Sequence, residues 1–163
     1  TYRRQSDLFA GRWFEAEMNA RYPRLLAETV GRDTPASTYD ALLEEARRSN
    51  LVVVSLYITA LSYQGTVALP DETREFLEAL EAAGIPHVVI SFGNPYLLRE
   101  VEGVQAYMLA WSGSEASQRA AADALFGDHP IEGRTPTRVT DELGIGSGIR
   151  MPARERREGG GTP

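Results

Sequence analysis

Residues 51–58 read Leu-Val-Val-Val-Ser-Leu-Tyr-Ile, eight positions without a charge. The run is far too short to span a bilayer, which takes about 20 apolar residues. It is also too continuously apolar for a strand with one solvated face. It fits a central strand of a parallel sheet, buried on both faces. Such a strand needs helices above and below it and parallel neighbours reached by crossover connections.

The remaining sequence supplies both. Val88-Val-Ile-Ser-Phe92 is a second short apolar run, stopped by Gly93-Asn94-Pro95-Tyr96. Residues 106–111 form a third, stopped by Ser112-Gly113-Ser114-Glu115. Between the runs the period changes to that of helices. Residues 10–22 carry Trp13, Phe14 and Met18 on one helical face. Residues 24–30 read as a short strand and residues 31–36 as a turn. Ser37, with Asp40 three positions on, resembles a capping box for a helix that runs to Arg48, with Leu42, Leu43 and Ala46 on one face. Pro70 and Asp71 open the next helix. Phe76, Leu77, Leu80 and Ala83 are its buried stripe, and Gly84 stops it. A last helix covers residues 116–126 and closes at Gly127.

This order predicts an α/β fold, a three-layer α/β/α sandwich around a mostly parallel sheet, over residues 1–152. Charged, glycine-rich residues 153–163 read as a flexible tail or linker. Layers of this kind open with a strand, yet the first clear element here is a helix. A first strand is therefore expected either upstream of Thr1, cut away, or within residues 1–10. Those ten residues, polar and basic, are otherwise expected to be loosely held. A sheet without its edge strand exposes backbone groups, so self-association through that edge is expected.

The chain has 163 residues and a net charge of −6, with acids scattered rather than in blocks. That argues against nucleic acid as a partner, since phosphate binding needs a basic patch. Cysteine is absent, which removes disulfides and thiolate chemistry. Every basic residue is arginine, so lysine chemistry is excluded too. Neither an exported nor a cytoplasmic location is excluded. No membrane span and no cofactor are expected.

The chemical inventory is thin. His87 follows Pro86 at the amino end of a strand, and His129 lies far from it in sequence; both read as structural. Gly113-Ser114-Glu115 lacks nucleophile-elbow spacing. Gly144-Ile-Gly-Ser-Gly148 precedes no helix, so it lacks the mechanism of a phosphate loop. In open α/β sheets ligands sit beyond the carboxyl ends of the strands. That rule selects Tyr63 and Gln64 in the loop 59–69, Asn94 and Tyr96 after the next run, and Trp111 and Glu115 after the third. Each also has a plain reading: Gly93-Asn94-Pro95 as a turn, Ser114 as a helix cap, and Glu115 as a complement to the helix dipole. No Asp or Glu occurs from Leu51 through Pro70, so that loop offers no carboxylate for acid catalysis.

Taken together and in order, these stretches resemble the C-terminal α/β domain of glycoside hydrolase family 3. The likeness covers residues 10–152. It rests on residues 51–57, Gly65-Thr-Val-Ala-Leu-Pro70, residues 88–98, residues 106–115, Ser117-Gln-Arg-Ala-Ala121, Ala124-Leu-Phe-Gly127 and residues 130–136. The Gly-Asn-Pro-Tyr and Gly-Ser-Glu forms look most like the β-N-acetylglucosaminidase branch. The resemblance implies a retaining enzyme whose (β/α)8 barrel, absent from this chain, supplies the aspartate nucleophile. In the β-glucosidase branch this second domain lends a glutamate from the loop after the central strand. Here that loop has no acid, which fits the branch whose acid/base is a histidine–aspartate pair on the barrel. The implied role is an accessory domain that packs on the barrel, contacts carbohydrate only indirectly, and is inactive alone. Rival readings are a stand-alone glycan-binding module, a flavodoxin-like small-molecule domain and a purely structural shield.

Overall fold

A computed structural model describes residues 1–59, 68–101 and 103–155. The elements run α1 (Arg12–Arg21), α2 (Ala36–Ala46), β1 (Val52–Leu56), α3 (Asp71–Ala82), β2 (His87–Ser91), a 3-10 turn (Pro95–Glu100), β3 (Tyr107–Leu109) and α4 (Glu115–Phe126). The three strands form a parallel sheet in the order β1-β2-β3. The fold is the α/β sandwich expected from the two-sided apolar runs.

Strand alternation sorts the core into two clusters. Val54, Leu56 and Val89 pack with Tyr39 and Ala46 of α2 and with Leu77 and Leu80 of α3. On the other face Tyr57, Ile90 and Phe92 pack with Phe14 and Met18 of α1 and with Ala121 and Ala122 of α4. Leu80, Val89, Ile90 and Phe92 have no exposed surface. Both faces of β1 and β2 are thus covered, as a parallel sheet requires.

The first residues are not loosely held. Tyr2 is buried and bridges in parallel to both Val30 and Leu56. Its N–H donates to Ser55 O at 2.8 Å, and its O accepts from Tyr57 N at 2.9 Å. Tyr2 thus bridges Val30 and β1, and the spatial order at that level is Val30, Tyr2, β1, β2, β3. Of the strand expected at 24–30, only Val30 is paired.

Two smaller expectations also shift. Pro35, not Ser37, precedes α2, and no side chain caps it, so Ser37 lies inside the first turn. Arg154, placed in the tail by composition, donates its N–H to Gly127 O at 2.7 Å. Among the described residues no helix is long and apolar enough to cross a membrane.

Candidate functional site: the carboxyl-end face of the sheet

The loops after β2 are built by close backbone approach. Asn94 N donates to Ile58 O at 2.8 Å. A Cβ on Gly93 would lie 2.4 Å from Ile58 O, so only glycine lets the two strand ends meet. The Asn94 side-chain oxygen accepts from Tyr96 N at 2.9 Å and so opens the 3-10 turn. Asn94 is therefore a turn-former, as its plain reading held. Tyr96 is 40% exposed; its hydroxyl lies 3.1 Å from Thr137 Oγ1, and Arg99 stacks 4.5 Å above its ring.

Trp111 follows β3 in an unusual conformation. Its φ of 63° makes it the one non-glycine with positive φ among the described residues. Ser112 N donates to Ala110 O at 2.8 Å, which closes a γ-turn centred on Trp111. A bulky residue is strained there. The turn leaves the indole 42% exposed instead of burying it.

Ser114 then caps α4, accepting from Ser117 N at 3.3 Å. Glu115, the first residue of α4, accepts from Arg119 Nε at 3.0 Å. Both observations match the plain reading of these two residues.

Gln118 locks this face together. It is fully buried, and its oxygen accepts from Trp13 N at 3.1 Å and Phe14 N at 3.2 Å. Its amide donates to Phe9 O at 3.0 Å and Gly113 O at 2.8 Å. One α4 side chain thus joins the start of α1 to the loop after β3. Beneath it, Tyr57 stacks on Phe92 with ring centroids 4.5 Å apart. Burial pushes the Tyr57 phenol far above its ordinary range, so it stays neutral.

An opening lies where the chain changes direction. From the Tyr2 segment the chain passes outward to Val30, then crosses back to β1. The carboxyl ends of these neighbours therefore diverge, as at any topological switch point. A cleft of about 820 Å³ opens there, lined by Arg3, Arg4, Gln5, Arg32 and Thr34 among others. Arg3 Nη1 donates to Asp7 O at 2.7 Å, and Arg4 Nη2 to Thr59 O at 3.1 Å. Asp33 is the one carboxylate among the described lining residues. Such a lining suits hydroxyl-rich or anionic ligands.

Tyr63 and Gln64 lie outside the described residues. Asn94, Tyr96, Trp111 and Glu115 all lie at the carboxyl-end edge, but each on its own turn, and among the described residues they form no converging acid–base set. Sequence reasoning missed Arg3 and Arg4 because it discounted residues 1–10, and Arg32 because it read residues 31–36 as a plain turn. The signal was Tyr2 itself, an aromatic inside a basic segment just ahead of a helix. His87 is buried at the opposite end of β2, its Nδ1 2.9 Å from Ile85 O, in keeping with a structural role. Among the described residues no group of three or more metal-ligating side chains comes together.

Comparison with known proteins adds a lineage to this geometry. Residues 9–157 match the family model described as the glycosyl hydrolase family 3 C-terminal domain. A periplasmic beta-glucosidase of Salmonella typhimurium is 25% identical over 118 residues, covering 68% of this chain and 15% of that protein. A xylan 1,4-beta-xylosidase of Xylanibacter ruminicola is 38% identical over 71 residues, covering 42% of this chain and 8% of that protein. The chain thus spans a small part of the curated relatives it matches.

Proposed function

Because the chain belongs to the glycosyl hydrolase family 3 C-terminal domain family, we propose that it serves a β-glycosidase as a non-catalytic partner of the catalytic barrel. Its carboxyl-end face would turn toward the barrel and wall the substrate cleft. The observation that carries this reading is the strained γ-turn at Trp111. It holds an indole outward on the same face as Tyr96 and the arginine-lined cleft. Aromatic faces suit both sugar rings and interdomain packing.

Retaining hydrolysis needs two carboxyl groups about 5–5.5 Å apart when both catalytic groups are carboxylates. Glu115 stands at the edge paired with Arg119, which also binds the Glu17 carboxylate, so both acids are held in one ion-pair cluster. The acid-free stretch from Leu51 to Pro70 favours the β-N-acetylglucosaminidase branch, in which this domain lends no acid. The named relatives are a glucosidase and a xylosidase, so substrate choice is the finer part of the proposal.

Kinetics of the enzyme that carries this domain test both parts. Trp111→Ala and Tyr96→Ala are expected to raise KM for an aryl glycoside with little change in thermal midpoint. Unchanged KM and midpoint in both variants would sink the contact reading. The aryl β-N-acetylglucosaminide is expected to outrun the matching glucoside and xyloside. The reverse ranking would remove the branch assignment and leave the domain assignment standing.

A further inference from the structure

The cleft beside Tyr2 carries a charge opposite to that of the chain. The chain has a net charge of −6, yet Arg3, Arg4 and Arg32 line this opening against one carboxylate among the described lining residues, Asp33. The arginines come from two segments, one following Tyr2 and one following Val30. The parallel bridge between Tyr2 and Val30 sets those segments side by side. Burial raises the Tyr2 phenol above its ordinary value of 10.0, with Tyr39 and Glu72 adding to the shift, and the guanidinium groups of Arg32 and Arg4 oppose it. Two cations from different segments therefore converge on one residue of the cleft lining. Charges gathered in a concave site reinforce one another and attract the opposite sign.

The rest of the lining narrows the ligand. A guanidinium carries five N–H donors in a planar fork. Arg4 Nη2 donates to Thr59 O at 3.1 Å, which fixes that charge in place. The Arg32 side chain is exposed and forms no hydrogen bond or ion pair among the described residues. Val30, Ile58 and Pro70 add an apolar surface, while Gln5, Ser6 and Thr29 add donors and acceptors suited to hydroxyl groups. The volume of about 820 Å³ falls within the range of small-molecule sites, about 300–1,000 Å³. A bare oxyanion would use the arginines and leave the apolar surface uncovered. A neutral sugar would cover that surface and leave the arginines without a counter-charge. A pyranose ring that bears a carboxylate uses both.

We propose that this cleft is an acidic-sugar subsite, which binds a hexuronate with its carboxylate between Arg4 and Arg32 and its ring against Val30, Ile58 and Pro70. The planar guanidinium matches a carboxylate through two parallel hydrogen bonds, which fixes the orientation of the ring as well as its charge. Arg3 adds a third positive charge to the wall. That the uronate belongs to the substrate of the adjoining barrel rests on the reading of this face as the cleft wall. Binding of the uronate to this chain does not rest on it.

The test titrates this chain and its Arg32→Gln variant with D-glucuronate, D-glucose and inorganic phosphate at low salt. Arg32 is exposed, so the variant is expected to keep the thermal midpoint of the parent. Glucuronate is expected to bind roughly tenfold tighter than glucose, and Arg32→Gln to weaken it by a similar factor. Equal affinities for glucuronate and glucose would overturn the proposal, and so would an unchanged glucuronate affinity in the variant. Phosphate binding tighter than glucuronate would also overturn it, because the occupant would then be a bare oxyanion. In the enzyme that carries this domain, kcat/KM is compared for an aryl glycoside with a carboxylate on its aglycone and for its carboxamide twin. Arg32→Gln is expected to lower the preference for the carboxylate roughly tenfold. Glucuronate binding through Arg32 with that preference unmoved would keep the subsite and sink the cleft-wall reading.

Discussion

The two edges of β1 teach different things. Toward β2 the ladder is complete from Val52↔His87 to Leu56↔Ser91, both faces are covered, and the glycine contact at Gly93 seals the carboxyl end. Toward Tyr2 the same strand is paired only at its carboxyl half, and its amino half looks into a groove. The carboxyl end is therefore finished on both edges, and that is the end carrying Trp111, Tyr96 and the arginine cleft. The unpaired stretch of β1 lies at the other end of the sheet.

If the β2 side is the finished core, truncation there should cost most. Leu80→Ala removes a fully buried side chain from the α3 layer and is expected to destabilise by about 4 kcal/mol in denaturant unfolding. Gln118→Ala strips four hydrogen bonds from backbone groups, the one to Phe14 N buried and the others half-buried, for an expected loss of about 3 kcal/mol. It should also loosen Trp13 and Gly113 together in amide exchange. Loosening at only one of them would break the idea that Gln118 joins the two segments. Ser114→Ala deletes the α4 cap for about 1 kcal/mol. Glu115→Ala touches an exposed ion pair and is expected to change stability by less than about 0.5 kcal/mol.

The open edge makes its own prediction with pH. Burial holds the Thr1 ammonium below its ordinary value of 8.0, while the carboxylates of Glu15 and Glu28 oppose that shift. The unfolded chain then binds more protons than the folded chain between the depressed value and 8.0. Stability should therefore rise with pH across that window. N-terminal acetylation removes the charge and should flatten this slope. An unchanged slope would mean that the nitrogen is not enclosed.

Much of this architecture was legible because burial on both faces leaves a simple signature. The runs at 51–58 and 88–92 announce a parallel sheet by composition alone. Gly84 and Gly127 mark helix ends through their positive φ values. The need for pairing ahead of the first helix was legible from the layer order, but the bridge at Tyr2 was not, because its neighbours at Val30 and Ser55 create it and no local pattern does. The arginine cleft was hidden for the same reason, since it exists only once the Tyr2 segment and β1 lie side by side. The turn at Trp111 was hidden because a non-glycine γ-turn breaks local rules that sequence reading depends on.

The most direct test of the account is hydrolysis of an aryl β-N-acetylglucosaminide by this chain alone and by the enzyme that carries it. The account predicts no turnover by the chain and full turnover when the barrel is present. Turnover by the chain alone would contradict the reading of a non-catalytic partner domain, and Glu115 would be the first residue to replace.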